Sequence, residues 1–458
     1  KPRKSGDPLC ATLKNKINQS IKTTEMEKKP RHYQKSDRII NRTKEDFSTF
    51  AIKERAKSFD ILSESNIVEP KPSNPSIICS ADGKLTRMFL TIPEYAISGA
   101  GNPYWDAFSD LMLKLPEHTK FLILTHESVE NDLRNWLDSK GILNRTELGS
   151  VPNHLHFSVW AEDGYAITKD TNGKTFFAEP FSFPRYADGL MAEFASNISD
   201  LENYQAPLYF QGGNIVIGDN FFFIGADYPK NSLQYINQAI FPEPNETSTQ
   251  LIKRLYSEYL DTSKELIYIG SKIPVPSQID ESISIDGEEW KQVLYMGNKE
   301  GTVQPLFHID MFISLAGRNS NGKYQILVGD PKMAADLINF PESLQYSMKE
   351  VFDNIASNLT RNPDFEIIRN PLPLVYSDDI QGKTRYWYFA TANNCLVEND
   401  QNSKTVWLPT YGYGAWTVLS ATDNKNKEIW ESLGFTVKFL ADFHPFAENL
   451  GAVHCISK

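Results

Sequence analysis

Gly451-Ala452-Val453-His454-Cys455 lies three residues from the end of a 458-residue chain, and the fold assignment turns on it. A nucleophilic cysteine needs a nearby cation or base to lower its pKa, and enough access to meet a substrate. On a strand, His454 would point to the opposite face, so it is not automatically the partner of Cys455. Alone, such a cysteine is more often an inert buried thiol. Three stretches upstream change its weight. His308-Ile309-Asp310 opens an apolar run, and on a strand its imidazole and carboxylate would share one face. Glu162-Asp163-Gly164-Tyr165 follows Trp160-Ala161 and carries carboxylates where a strand would end, although Asp-Gly is also an ordinary exposed turn. Gly212-Gly213-Asn214 precedes a predicted hairpin and permits close backbone approach, or merely a turn. A competing pattern is His154-Leu155-His156, which with His126 or His308 could bind zinc and support a metal-dependent hydrolase.

Around these stretches the chain reads as an α/β protein. Hydrophobic residues make up 40% and charged residues 23%, which excludes a wholly disordered or fibrous chain. No stretch approaches 18 apolar residues, so no membrane span is expected. The formal net charge of −11 argues against a nucleic-acid partner. Four cysteines are too few for a disulfide scaffold. The chain begins with lysine, which fits removal of a leader and export, or a trimmed start. Residues 1–75 hold 17 basic and 10 acidic residues, leaving 30 and 48 in the remainder. They read as a basic, partly helical extension that ends in the breaker-rich linker Glu69–Pro75. It is either solvated or docked on the acidic body or an acidic partner. From residue 76, short strands alternate with helices in a rhythm that recurs about five times. Strands are predicted at Arg87–Ile92, Lys120–Thr125, His156–Trp160, Asn214–Ile217, Asn220–Ile224, Glu265–Ile269 and His308–Leu315, with helices at Trp105–Leu115 and Ser248–Leu260.

The order Trp160-Ala161-Glu162-Asp163, Phe210-Gln211-Gly212-Gly213-Asn214, His308-Ile309-Asp310 and Gly451-Ala452-Val453-His454-Cys455 resembles the guanidino-modifying, or pentein, superfamily. The closing stretch Phe439–Cys455 and His308-Ile309-Asp310-Met311-Phe312-Ile313-Ser314 look most like the catalytic domain of protein-arginine deiminases. Asn394-x-x-Val397-x-Asn399 resembles a motif shared with agmatine deiminases and bacterial peptidylarginine deiminases. The resemblance covers residues 76–458 and implies a five-bladed, pseudo-symmetric α/β propeller of ββαβ units. It implies hydrolysis of a guanidinium group, with arginine in proteins or peptides converted to citrulline and ammonia. The alternatives are agmatine or free-arginine deimination, amidino transfer to an amine, or a non-catalytic binding scaffold.

The roles implied by the resemblance are mutually consistent. Cys455 attacks the guanidinium carbon to give a thiouronium, and His308 moves the protons. Asp163 and Asp310 hold an ion that stays charged at any physiological pH. Asn394 orients the substrate or the cysteine loop, Arg185 holds a substrate backbone, and Gly213 and Trp160 are further substrate-binding positions. Three residues depart from the pattern: Met311 stands where a glutamate is common, and Glu162 where arginine or glutamine is usual. Apolar Val216 occupies the position of a calcium ligand in animal relatives. No cofactor and no calcium requirement are therefore expected.

Overall fold

A computed structural model describes residues 71–99, 101–180, 183–229, 232, 243–339 and 348–458. The expected basic extension lies outside the described residues apart from its linker end, where Lys71 Nζ donates to the Glu258 carbonyl at 2.9 Å. No helix among the described residues is long and apolar enough to cross a membrane.

The architecture is mixed α/β, built from six separate small sheets among the described residues. Four of them repeat one plan: an antiparallel strand pair, then a helix, then a third strand returning parallel. The clearest is Ile215–Ile217, Phe221–Gly225 and Glu265–Ile269. Phe221-Phe222-Phe223-Ile224 is buried on both faces, as a central strand requires. The connecting helix Ser248–Tyr259 starts with a reciprocal cap between Thr247 and Gln250 and buries Leu251, Ile252, Leu255 and Tyr256 on one stripe. The same plan joins Ala166–Lys169, Thr175–Pro180 and Glu202–Ala206. It recurs in Ile313–Arg318, Tyr324–Asp330 and Phe365–Pro371. A fourth copy comprises Leu396–Asn399, Lys404–Thr410 and Thr436–Asp442. A fifth sheet, Arg87–Ile92, Lys120–His126 and Thr146–Val151, is wholly parallel. Its edge residue Phe89 exchanges two backbone hydrogen bonds with Lys458, which anchors the segment carrying Cys455. The sixth contains Ile279–Ile285, Glu288–Leu294, Thr384–Phe389 and Leu374–Asp379. No sheet among the described residues closes on itself, and the expected five-bladed propeller is a finer description than these pairings give.

One predicted strand is a turn and another begins late, in both cases where backbone donors are taken by distant side chains. In His156–Trp160 the backbone donors are taken by side chains: Ser158 N–H by Asp188 (2.6 Å), Val159 N–H by the Tyr95 hydroxyl (3.2 Å). With its donors spent locally, the segment joins no ladder. His308 likewise does not begin a strand. It caps a 3₁₀ turn over Ile309–Met311, and the strand starts at Ile313.

Candidate active site

The turns, rather than strand faces, carry the site. Asn214 Oδ1 accepts from Ile309 N–H at 3.1 Å and from Gln304 Nε2 at 3.2 Å, which pins the His308–Asp310 turn. Asn394 does the same for the closing segment: its Oδ1 accepts from Ala452 N–H (3.0 Å) and Cys455 N–H (3.1 Å). The Asn394 amide also donates to Cys455 Sγ at 3.0 Å. One asparagine therefore fixes the loop and supplies a hydrogen bond that favours the thiolate.

Between these turns passes the Gly212-Gly213 backbone. A Cβ on Gly213 would lie 2.6 Å from His308 Nδ1 and 3.0 Å from Asp310 Oδ2. On Gly212 it would lie 2.0 Å from the Glu162 carbonyl. Only glycine leaves room for the three segments to meet. Here the glycines serve close approach, beyond the turn chemistry that the sequence alone supports.

Cys455, His308, Asp163 and Asn394 are fully buried, and Asp310 is 3% exposed. His308 Nε2 bonds Gln211 Oε1 (2.9 Å) and the Tyr228 hydroxyl (3.0 Å), its ring stacks on Phe307, and its Nδ1 lies 3.6 Å from Asp163 Oδ1. Asp310 Oδ2 is 3.5 Å from Cys455 Sγ and 2.9 Å from His454 Nδ1. Its other oxygen, Oδ1, is buried and accepts no hydrogen bond from the described residues. A buried carboxylate oxygen left in this state costs free energy unless a donor arrives.

Asp163 has a different neighbour. Its Oδ2 receives Arg185 Nη2 at 2.6 Å, while Arg185 Nε reaches Asp188 at 2.5 Å. The Arg185 side chain is 2% exposed and turned inward, onto the carboxylate expected to hold substrate. Trp160 is buried, packs edge-on against Phe446, and starts the turn in which Asp163 N–H bonds the Trp160 carbonyl. Glu162 pairs with Lys458 Nζ at 2.7 Å. Burial pushes the Glu162 carboxyl above its ordinary pKa, against the pull of Lys458 and His454.

His454 was set aside on strand geometry, but residues 453–456 form a turn that brings it to Asp310. Gln211 and Tyr228 were also missed. Gln211 adjoins the Gly-Gly pair, whereas nothing in the sequence around Tyr228 points to His308. The zinc set does not assemble. His126 accepts from Glu94 N–H at one nitrogen and meets the Leu155 carbonyl with the other, while His154 and His156 are exposed. Val216 packs into the core beside Phe221 and Phe223, so its position presents no side-chain oxygen.

No family model and no curated protein matches the sequence. Solved structures do match in shape. A protein assigned as an agmatine deiminase superposes with a TM-score of 0.57 at 12% identity, over 86% of this chain and 98% of its own. The agmatine deiminase of C. jejuni gives 0.53 at 12% identity, over 86% and 98%. That of Enterococcus faecalis gives 0.52 at 11% identity, over 85% and 98%. The chain shares the fold of these agmatine deiminases. At these identities the likeness is one of fold, and the chemistry has to be argued from the residues. Within that fold Met311, one of the departures noted above, points into the core, and Glu162 is answered by Lys458.

Proposed function

We propose that the protein hydrolyses a guanidinium group to a urea and ammonia, with Cys455 as covalent nucleophile. The observation that carries this reading is Asp310 Oδ1, a buried acceptor with no donor among the described residues, beside a thiol 3.5 Å from the same carboxylate. A planar cation rich in N–H donors satisfies that oxygen and brings its electrophilic carbon to the sulfur.

The Cys455 thiolate attacks the guanidinium carbon, forming a C–S bond. The C–N bond to one terminal nitrogen breaks as His308 delivers a proton, and ammonia departs to leave a thiouronium. Water then attacks the same carbon and gives its proton to His308. The C–O bond forms, the C–S bond breaks, the second water proton passes to the released ammonia as ammonium, and the neutral urea leaves with the thiolate restored. Asn394 holds the sulfur throughout, and Asp163 steadies His308 and the substrate cation. Four repeated strand-helix units, with the parallel sheet tied to Lys458 as a fifth, support a reading of five blades around this centre.

Complete burial of the thiol and the inward hold on Arg185 favour a small guanidine, such as agmatine or free arginine. Arginine within a protein or peptide is the second reading. The cleft would have to open and Arg185 turn outward, as the role of holding a substrate backbone demands. Incubation with agmatine, arginine and an arginine-rich protein, measuring ammonia and ureido product, separates these readings. Equimolar ammonia and ureido product from a small guanidine is expected. Citrulline in the protein alone would select the second reading, amidine transfer to an added amine without ammonia would select a transferase, and no product from any of them would leave a binding scaffold.

A further inference from the structure

His454 enters no step of that reaction, yet it holds one oxygen of the carboxylate that the substrate needs. Its Nδ1 lies 2.9 Å from Asp310 Oδ2, the oxygen facing Cys455 Sγ. Its side chain is 18% exposed, while those of Asp163, His308 and Asp310 are at most 4% exposed. His454 is therefore the member of the cluster nearest to solvent. The charged groups facing it are Asp310 on the 308–311 turn, Glu162 on the 160–165 turn and Lys458 at the end of the chain. Cys455 adjoins it on its own turn.

A guanidinium takes a carboxylate best through both oxygens, in two parallel hydrogen bonds. In this structure one Asp310 oxygen is open and the other is capped by His454. An imidazolium there satisfies the carboxylate's charge before any substrate arrives. Two cations then compete for one anion in a site from which water is excluded, where like charges repel strongly.

We propose that His454 is a protonation-controlled gate on the guanidinium subsite. As an imidazolium it occupies Asp310 Oδ2 and excludes a cationic substrate, and as a neutral ring it yields that oxygen. This inference rests on the reading of Asp310 as the guanidinium anchor. The electrostatics agree with it. Burial disfavours the charged ring, but Glu162 and Asp310 outweigh burial and raise the His454 pKa above that of ordinary imidazole. By linkage, binding a guanidinium releases a proton from His454, and lowering the pH weakens binding.

The test uses two alkylating probes of Cys455 that differ in charge: a haloacetamidine, which is cationic, and iodoacetamide, which is neutral. The ratio of their rates cancels the thiol's own ionisation. In the parent protein this ratio should fall about tenfold per unit as pH is lowered below the His454 pKa, which lies above that of ordinary imidazole. In His454→Gln, which keeps an N–H donor without a charge, it should vary less than threefold over that range. Where a small guanidine is turned over, the acid limb of kcat/KM should shift in the same variant more than that of kcat. Should His454→Gln lose its melting transition, His454→Asn takes its place. A parent ratio independent of pH, or one that the variant leaves unchanged, overturns the gate even if the protein proves to be a deiminase. A protein inert toward every guanidine but with the expected ratio would overturn the deiminase reading and keep the gate.

Discussion

Replacing Gly213 with alanine adds a single methyl group at the point where the site is tightest. That carbon would lie 2.6 Å from His308 Nδ1 and 3.0 Å from Asp310 Oδ2, where ordinary contact begins at 3.4 Å. His308 must then retreat by roughly 0.8 Å, and Asp310 by about half that. Neither has an easy retreat. His308 is held at Nε2 by Gln211 and Tyr228 and is flanked by Phe307, while Asp310 is tied to His454. Misplacing a catalytic group by about 1 Å can cost on the order of 100-fold, or about 2.7 kcal/mol of barrier. Overpacking should also lower stability by about 1–3 kcal/mol. Gly213→Ala should therefore remain folded, melt several degrees lower and lose at least about 100-fold in kcat/KM on a small guanidine. Steady-state kinetics alongside a thermal melt reads both. A folded variant within threefold of the parent would refute the claim that Gly213 is where the His308 and Asp310 segments converge.

Other outcomes follow from single contacts. Asn394→Asp keeps the acceptor for the Ala452 and Cys455 amides but sets an anion where the amide now donates to Sγ. Iodoacetamide labelling of Cys455 at neutral pH should slow by at least about tenfold, and an unchanged rate would remove Asn394 from thiolate stabilisation. Burial pushes Glu193 from 4.5 up to about 7, so the folded state binds its proton more tightly than the unfolded chain does. That proton's contribution is complete below the unfolded value and is lost as pH rises from about 4.5 through 7, so Glu193→Gln should be more stable than the parent at pH 8, by about 1–2 kcal/mol, and matched to it at pH 4. A difference independent of pH in denaturant melts would contradict this. Turnover should persist in excess chelator, because the Val216 position offers no side-chain oxygen. A large stimulation by calcium would mean that ligands elsewhere build a site.

Where the sequence was legible, local chemistry agreed with tertiary context. Phe221–Gly225 reads as a buried strand because an apolar run of that length fits a central position in a sheet. The helix Pro103–Lys114 carries its own signals: Asn102 capping Tyr104 N–H, proline at the first turn, and a buried stripe through Ala107, Phe108 and Leu111. The segments that misled are those whose backbone is satisfied from far away. The donor at Val159 is met by a tyrosine 64 residues upstream, and that at Ile309 by an asparagine 95 residues upstream. Read locally, both segments are apolar enough to pass for strands. The same cause hid His454, because a strand would have turned it away from Asp310, whereas the Asn394 clamp holds the segment in a turn. Asp163, Asp310, His308 and Cys455 were singled out by motif order, and the structure brings them together, but Arg185 facing inward onto Asp163 could not be read from spacing.

The central claim, covalent attack by Cys455 on a guanidinium carbon, is tested most directly by acid quenching during turnover of a small guanidine, followed by peptide mapping. The account predicts a modified peptide containing Cys455, heavier by the mass of the substrate less ammonia. The adduct should accumulate in a His308 variant that attacks but hydrolyses slowly, and be absent from Cys455→Ser, which makes no product. Ureido product formed with Cys455 unmodified, together with an active Cys455→Ser protein, would contradict it.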